Sequence, residues 1–299
     1  MPDMSRPVAY RAGGDISDFF ALAKPRVMSL VVFTGIVGMA LAPATLHPVL
    51  AVAALIALAL GAGGAGAINM WFDRDIDAVM ERTKTRPVPA GRVPAAEALA
   101  FGVTLSIFGV LLMGLAANWA AAALLLASSL FYVFVYTCWL KRSTAQNIVI
   151  GGAAGALPPV IGWVAASGGG LAPLPLILFA VIFLWTPAHF WALALVRADD
   201  YARAGVPMLP VTRGADATRR GILVYSAATV AVTMLPYVLG ELGAVYGVGA
   251  CVLGAGLLWH AFTICRRRAG SEMRMFWYSI AYLFLLFLLM PLDRLLTGS

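Results

Sequence analysis

The chain has 299 residues, of which 62% are hydrophobic and only 12% are charged, and its formal net charge is +7. So few polar residues cannot cover the surface of a water-soluble domain of this size, which excludes a soluble globular protein. Apolar stretches of about 20 residues, long enough to cross a bilayer, recur along the whole sequence. The composition therefore predicts a single all-α domain embedded in a lipid bilayer.

Nine apolar segments are predicted to form transmembrane helices. They cover residues 27–46, 49–70, 97–117, 119–139, 147–165, 174–196, 221–240, 243–265 and 276–293. Residues 1–26 carry no cleavable signal pattern and form a predicted cytoplasmic N-terminal segment. Residues 27–296 form the predicted transmembrane domain.

The connections between these helices differ in charge. Short, nearly uncharged turns alternate with longer charged loops, so that 20 of the 21 Lys and Arg residues lie in the loops or the N-terminal segment, and only Arg294 lies on the other side. Positive residues are retained in the cytoplasm, which predicts a cytoplasmic N-terminus and a periplasmic C-terminus in a bacterial inner membrane. The net charge follows from this orientation and gives no support for nucleic-acid binding.

The first cluster of polar residues lies at the cytoplasmic end of the second predicted helix. Asn69, Asp73 and Asp77 are spaced four residues apart, so on a continuing helix they form one polar stripe. Carboxylates at this spacing repel one another unless a cation is bound, and oxygen ligands suit Mg²⁺, which shares its coordination with substrate phosphates. A solvated loop is the alternative, and Trp71 and Phe72, which mark the membrane interface, argue against it.

Basic residues follow this stripe on the same predicted side of the membrane. They are Arg82, Lys84 and Arg86 in the first charged loop, and Lys141 and Arg142 at the end of the fourth helix. Cations beside a metal–carboxylate cluster are what a diphosphate needs, because Arg binds phosphate oxygens bidentately. For Lys141 and Arg142, positive-inside anchoring is an equally good explanation.

A second acidic cluster ends the sixth predicted helix on the same face. Asp199 and Asp200 are adjacent, so on a helix only one can face a given site, and Tyr201 follows them. Asp200 lies eleven residues after His189, close to three full turns, and is therefore the acid that we select. Two acidic clusters on one side indicate metal sites that face each other across a shared diphosphate.

His189 is the one titratable residue in these motifs that is predicted to lie about two turns inside the membrane. A histidine at this depth is unusual and indicates a function. On the residues alone it could be a heme ligand, a proton carrier or a hydrogen-bonded packing residue, and these alternatives stay open.

These motifs resemble those of the UbiA superfamily of intramembrane prenyltransferases. Most members carry N-D-x-x-D-x-x-x-D at the first cluster, whereas Met70 replaces the first acid here. This variant, with R-T-K-x-R-P, W-L-K-R, N-I-V-I-G-G, P-x-H-F-W and D-Y-x-x-A-G-V-P-M-L-P-V, is similar to the members that use heme B as the prenyl acceptor. The resemblance runs from about residue 24 to residue 221.

The resemblance implies a nine-helix bundle in which Asn69, Asp73 and Asp77 form the first motif, and Asp200 with Tyr201 the second. It implies that Mg²⁺ and farnesyl diphosphate bind there, and that the farnesyl group passes to a vinyl group of heme B to give heme O. Heme B is then a substrate, with a functional role for His189 toward it, and an enzyme that forms heme A is a candidate downstream partner.

Two other functions are considered. A UbiA-type enzyme could use an aromatic acceptor such as 4-hydroxybenzoate, although Met70 and His189 favour heme. A transporter would place ionisable residues along a path through the bilayer centre, whereas the acids here cluster at the cytoplasmic end.

Overall fold

The computed structural model describes residues 14–297, and this part of the chain is helical, without a β-strand. The helices are numbered here in chain order. They are α1 (Ile16–Leu22), α2 (Pro25–Ala40), α3 (Pro48–Phe72), α4 (Arg74–Val79), α5 (Ala95–Ala116), α6 (Trp119–Ser143), α7 (Asn147–Ala166), α8 (Pro173–Val196), α9 (Ala198–Arg203), α10 (Leu209–Val238), α11 (Ala244–Cys265) and α12 (Ser271–Thr297).

Eight of the helices within residues 14–297 are long and apolar enough to cross a membrane, namely α3, α5, α6, α7, α8, α10, α11 and α12. The pair α1 and α2 is a further candidate span, but the two helices are bent by 54° where they meet. Lys24 at this bend has a left-handed backbone (φ 53°), and Pro25 begins the next helix. The prediction of an all-helical membrane protein is confirmed, with eight or nine candidate spans in the described region.

Several helix boundaries differ from the predicted ones. Helix α2 ends at Ala40 rather than at residue 46, and α10 begins at Leu209 rather than at residue 221. The short helices α1, α4 and α9 lie in segments that were predicted as the N-terminal segment or as loops. Hydropathy marks only the apolar part of a helix, whereas α10 also includes charged residues such as Arg219, and its backbone is kinked at Gly214 (φ 77°, ψ 170°). Residues 1–13 of the predicted N-terminal segment lie outside the described residues.

Glycines bring the backbones of α3 and α5 into direct contact. A Cβ atom on Gly109 would lie 2.5 Å from the nitrogen of Gly61 and 2.7 Å from the oxygen of Ala57. A Cβ atom on Gly102 would lie 2.9 Å from the oxygen of Gly64. In a bilayer the hydrophobic effect does not drive helices together, so they associate by close van der Waals packing at small residues. This packing holds the end of α3 that carries Asn69.

Helix α6 contains a π-helical stretch, Phe131–Leu140, beside the end of α3. Within it, the hydroxyl of Thr137 donates a hydrogen bond of 2.9 Å to the carbonyl oxygen of Tyr132, five residues earlier. The wider turn alters which residues of α6 face α3, and π-helical segments are frequent at functional sites. Thr137 is thereby placed against the polar residues of α3.

Candidate active site

The predicted polar stripe is present, although the helix that carries it is interrupted. Helix α3 ends at Phe72 and α4 begins at Arg74, but the N–H groups of Asp73 and Asp77 still donate to the carbonyl oxygens of Asn69 and Asp73, over 2.9 and 2.8 Å. The three side chains are buried, with 3%, 0% and 1% exposure. Such burial excludes a solvated loop, and buried charged groups require partners.

Asn69 connects three elements at the upper end of the stripe. Its Nδ2 donates to Oδ2 of Asp73 over 2.6 Å and to the hydroxyl of Thr137 over 3.0 Å. Its Oδ1 accepts a hydrogen bond of 2.6 Å from Nζ of Lys24. Because each polar atom of the amide is engaged, the orientation of the Asn69 side chain is fixed.

Two further cations contact the carboxylates directly. Lys141 forms an ion pair with Asp73, and a guanidinium nitrogen of Arg86 lies 2.6 Å from Oδ2 of Asp77. The hydroxyl of Thr83 also donates to the carbonyl oxygen of Asp77 over 3.0 Å. The repulsion between the carboxylates is therefore offset in part by the protein's own lysine and arginine, without a bound metal ion.

Two buried carboxylate oxygens are left without a hydrogen-bond partner. They are Oδ1 of Asp73 and Oδ2 of Asp200, and a guanidinium nitrogen of Arg142 lies 3.7 Å from the former. Such oxygens are the ligands that Mg²⁺ prefers, and Mg²⁺ takes its remaining ligands from water and phosphate. Residues 14–297 contain no group of three or more His, Cys, Asp or Glu side chains placed to hold a metal ion. The donor set fits an ion that the protein shares with a phosphate-bearing substrate.

The second acidic segment lies against the first charged loop. Oδ1 of Asp200 accepts hydrogen bonds from the backbone N–H of Glu81 over 3.0 Å and from Arg203 over 2.7 Å. Asp200 is buried, whereas Asp199 is exposed, which agrees with the choice of Asp200. Burial raises the pKa of the Asp200 carboxyl, but the hydrogen bonds from Glu81, Arg203 and the backbone of Arg82 outweigh it, so the pKa is below its usual value.

The reason given for choosing Asp200 was wrong. A continuous helix was assumed from His189 to Asp200, but α8 ends at Val196 and the backbone of Arg197 is non-helical (φ −113°, ψ 20°). Burial by the first loop, rather than helical phase, distinguishes the two acids.

The other predicted phosphate ligands have different surroundings. Lys84 pairs with Glu81 at 2.6 Å, and both side chains are about half exposed. Arg142 binds both oxygens of Asp75 at 2.7 Å, and this hydrogen-bonded arginine lowers the pKa of Asp75 to about 2. The structure thus brings Arg86 and Lys141 onto the stripe, and turns Lys84 and Arg142 mainly toward exposed acids.

Arg82 and Tyr201 complete the predicted set. The side chain of Arg82 is exposed, and its guanidinium makes no hydrogen bond or ion pair within residues 14–297, so it is available to a ligand. Tyr201 is buried, one residue after Asp200. The roles of all these residues toward a diphosphate stay predictions.

His189 is buried at the contact between α8 and α12. Its ring is stacked between Trp185 and Phe276, with centroid distances of 4.4 and 4.6 Å. Its Nδ1 lies 2.7 Å from the hydroxyl of Ser279. The histidine is therefore held in one orientation inside the membrane domain.

Sequence reasoning missed three residues of this region, namely Lys24, Thr137 and Ser279. Lys24 stands out in the sequence as a basic residue just before the first apolar stretch, but the positive-inside rule explains it as well as a role in the site does. Thr137 and Ser279 stand inside apolar segments, where a lone hydroxyl carries no motif. Each is recognised only by its contact with Asn69 or His189.

An apolar cavity of about 590 Å³ lies between α3, α5 and α6 and is open to the outer surface of the bundle, where Ile107 and Phe134 of its lining are exposed. On α3 it is lined by Ile68, Trp71 and Phe72, which alternate with the residues of the polar stripe. The remaining walls are almost entirely aliphatic and aromatic side chains. A cavity of this composition beside a charged site suits a ligand with a polar head and a hydrocarbon chain.

A buried acidic stripe, cations and an apolar cavity within a helical membrane bundle define an intramembrane enzyme acting on a phosphorylated lipid. The chain belongs to the UbiA prenyltransferase family, whose family model matches residues 31–288. The predicted family and reaction class, an intramembrane prenyltransferase, are therefore confirmed.

Curated relatives specify the branch of the family. The chain is 59% identical to the protoheme IX farnesyltransferase of Afipia carboxidovorans, over 93% of this chain and 90% of that one. It is 57% identical to the protein of the same name from Bradyrhizobium sp., over 93% and 91% of the two chains, and 56% identical to that of Rhodopseudomonas palustris, over 97% and 94%.

Solved structures share the fold. A UbiA homolog from Aeropyrum pernix superposes with a TM-score of 0.70 and 19% identity, covering 92% of this chain and 98% of that one. A UbiA homolog from Archaeoglobus fulgidus, bound to DMAPP and Mg²⁺, gives a TM-score of 0.66 and 17% identity, over 91% and 99% of the chains. At these identities the likeness establishes the helical architecture.

Proposed function

We propose that this chain transfers the farnesyl group of farnesyl diphosphate to a vinyl group of heme B, with addition of water, to give heme O. The observation that carries the proposal is the identity of 56–59%, over more than nine-tenths of the chain, with relatives named protoheme IX farnesyltransferase. The buried acidic stripe and its cations supply the chemistry that this reaction requires.

In this proposal, Mg²⁺ binds to Asn69, Asp73 and Asp77, with Asp200 as a ligand from the second cluster. The unpartnered Oδ1 of Asp73 and Oδ2 of Asp200 support this assignment, as does the Mg²⁺ in the Archaeoglobus fulgidus relative. Bound Mg²⁺ supplies positive charge against the leaving diphosphate.

The cations bind the remaining oxygens of the diphosphate. Lys141 and Arg86 already lie on the stripe, while Arg82, Lys84 and Arg142 are on the same loops and can turn toward an added anion. Tyr201 is assigned to the diphosphate beside Asp200. Fixed positive charges stabilise negative charge as it develops on the leaving group, which is the largest contribution that the protein can make to ionisation.

The reaction balances with water as the third reactant. The allylic C–O bond of farnesyl diphosphate breaks and its electron pair leaves with the diphosphate. The vinyl π electrons then form a carbon–carbon bond to the allylic cation, which leaves a cation on the carbon next to the porphyrin. Water adds to this carbon and loses a proton to solvent, giving the hydroxyethylfarnesyl group.

Water must be kept from the allylic cation until the new carbon–carbon bond has formed. The apolar cavity beside α3 is suited to the farnesyl chain, because its lining offers almost no polar group that would hold water. His189 is assigned to the heme acceptor. No enzyme nucleophile is needed, which agrees with motifs that contain no Ser-His or Cys-His arrangement.

The membrane arrangement is part of the proposal. We assign nine spans, the first of them formed by α2, with the N-terminus in the cytoplasm, the C-terminus in the periplasm of a bacterial inner membrane, and the active site facing the cytoplasm. Residues 1–26 are then the cytoplasmic segment, 27–296 the prenyltransferase domain, and an enzyme that forms heme A a downstream partner.

A mass measurement tests the reaction. Purified protein in lipid nanodiscs is given heme B, farnesyl diphosphate and Mg²⁺, and the mass of heme O is expected as the product. Asp73→Asn is expected to lower the rate by roughly 100- to 1,000-fold, because a neutral amide stabilises the leaving group poorly. The matched control is Asp75→Asn, which changes an exposed acid paired with Arg142 and is expected to stay within a few-fold of the wild type.

Two outcomes contradict the proposal. An unchanged rate in Asp73→Asn removes the metal assignment to the stripe. Prenylation of 4-hydroxybenzoate without any reaction of heme B assigns the chain to an aromatic acceptor instead.

A further inference from the structure

The imidazole of His189 is held by aromatic rings on both faces. The ring of Trp185 is inclined to it by only 13°, and that of Phe276 by 21°. These two rings come from different helices, α8 and α12, so the histidine is clamped at the junction of both. Because both faces of the imidazole are covered, other groups can contact it only at its edge, which includes the two ring nitrogens.

Ser279 determines which of these nitrogens carries the proton. Its hydroxyl donates a hydrogen bond of 2.7 Å to the carbonyl oxygen of Phe276, and lies 2.7 Å from Nδ1 of His189. A serine hydroxyl has one hydrogen, and the carbonyl oxygen can only accept it. The hydroxyl oxygen therefore accepts a hydrogen bond from Nδ1–H, and Nε2 of the neutral ring carries the lone pair.

The His189–Ser279 pair is held in place by Trp185, and Nε2 of His189 remains available. Ser279 is fully buried, and its carbonyl oxygen accepts a hydrogen bond of 2.9 Å from Nε1 of Trp185. Nε2 of His189 makes no hydrogen bond within residues 14–297, yet it is not sealed among protein atoms, in contrast to Nδ1 of His260. A lone pair with a fixed direction and no hydrogen-bond partner in the described residues is open to a ligand.

We propose that Ser279 is a positioning residue for the acceptor, which fixes the tautomer and orientation of His189 so that Nε2 binds the iron of the heme substrate. This inference rests on the proposed function, because it takes the substrate to be a heme. Histidines that bind metals commonly donate their other N–H to an oxygen acceptor, and that contact sets the tautomer and the ring direction. Here the acceptor is the hydroxyl of Ser279, which donates its own proton to the carbonyl oxygen of Phe276.

The first test measures heme binding without catalysis. The full-length protein in nanodiscs is titrated with heme B in the absence of farnesyl diphosphate, and the Soret band and the EPR spectrum of the ferric form are recorded. Loss of an outer-shell partner of a metal ligand typically weakens metal binding about 10- to 100-fold. Ser279→Ala is therefore expected to raise the Kd for heme by about this factor and to shift the Soret band toward that of His189→Ala.

The matched control is Ser226→Ala. Ser226 is also a fully buried serine, but its hydroxyl has no hydrogen-bond partner, so removal of this group is expected to leave heme binding and the spectra unchanged. The KM for farnesyl diphosphate is expected to stay at the wild-type value in Ser279→Ala, because the acidic stripe is untouched.

The outcomes separate the two proposals. If His189→Ala loses the heme spectrum while Ser279→Ala keeps wild-type affinity and Soret position, the positioning role is overturned and the heme acceptor stands. If the wild type neither binds nor farnesylates heme B, the proposed function fails and the inference falls with it.

A second measurement reads the tautomer in the wild-type protein itself, and a variant serves only to assign the signal. The ¹⁵N chemical shifts of the histidine ring nitrogens in the heme-free wild-type protein report which nitrogen is protonated, and His189→Gln assigns the signal. A protonated Nδ1 is expected for His189. A proton on Nε2 overturns the inference directly.

Discussion

Nζ of Lys24 donates a hydrogen bond of 2.6 Å to Oδ1 of Asn69, although the two residues are 45 positions apart. The contact depends on the bend between α1 and α2, where Lys24 takes a left-handed backbone conformation (φ 53°). That conformation costs a non-glycine residue about 1–2 kcal/mol. The hydrogen bond from Lys24 to Asn69 offsets this strain. The bend therefore places a third cation at the polar stripe.

Lys24→Met is expected to lower kcat/KM for farnesyl diphosphate by about 10- to 100-fold. The variant removes a charge-assisted hydrogen bond, worth roughly 1.5–3 kcal/mol, and leaves Oδ1 of Asn69 without its donor. Initial rates of heme O formation at varied farnesyl diphosphate measure the change. The matched control is Arg26→Met, which removes an exposed cation two residues away and is expected to stay within twofold. Equal rates in wild type and Lys24→Met would show that the lysine serves only the fold.

The polar stripe could be predicted from sequence because it is local. Asn69, Asp73 and Asp77 repeat at the spacing of one helical turn, and i to i−4 hydrogen bonds continue through Asp73 despite the break between α3 and α4. The prediction therefore needed only the period of the helix.

The partners of the stripe could not be predicted in the same way. Lys24, Thr137 and Lys141 reach it from other helices, and which of them do so depends on the bend before α2 and on the π-helical turn in α6. Neither feature has a hydropathy signature. Similarly, Asp75 resembles Asp73 in the sequence, and only the position of Arg142 shows that it belongs to an exposed ion pair.

The acidity of Asp200 leads to a prediction about pH. Its pKa lies below the usual 3.8, so the carboxylate stays ionised at every pH above that value. The apparent Mg²⁺ affinity in the farnesyl-transfer assay is therefore expected to show no loss attributable to Asp200 between pH 5.5 and pH 8. The same shift stabilises the folded state above pH 3.8, and this contribution is lost as the pH falls through the lower native pKa.

Arg203→Gln tests the cause of that shift. Arg203 contacts Oδ1 of Asp200 at 2.7 Å, so its removal is expected to raise the pKa of Asp200 and to move the acid limb of the Mg²⁺ dependence to higher pH. Asp200→Asn is the reference, because its amide cannot titrate and its Mg²⁺ dependence has no acid limb from this position. An acid limb that is identical in wild type, Arg203→Gln and Asp200→Asn would assign the titration to another group.

The contact between α3 and α5 predicts a strong effect of a single methyl group. In Gly109→Ala, the new Cβ would lie 2.5 Å from the backbone nitrogen of Gly61 and 2.7 Å from the carbonyl oxygen of Ala57. Backbone atoms cannot turn aside as a side chain can, so the helices must separate, at a cost of about 1–3 kcal/mol. Thermal unfolding in detergent is expected to show a lower Tm, and farnesyl transfer to fall because α3 carries Asn69.

Gly155→Ala is the control for this effect. A Cβ atom at Gly155 meets no atom within 4 Å, so the same substitution adds helix propensity without a clash. Replacing a helical glycine by alanine contributes about 0.5–1 kcal/mol, and the Tm is expected to stay or to rise. If both variants lowered the Tm equally, the loss of stability would come from any added methyl group and not from the contact between the backbones of α3 and α5. A loss confined to Gly109→Ala assigns it to the close approach that holds the acidic stripe in place.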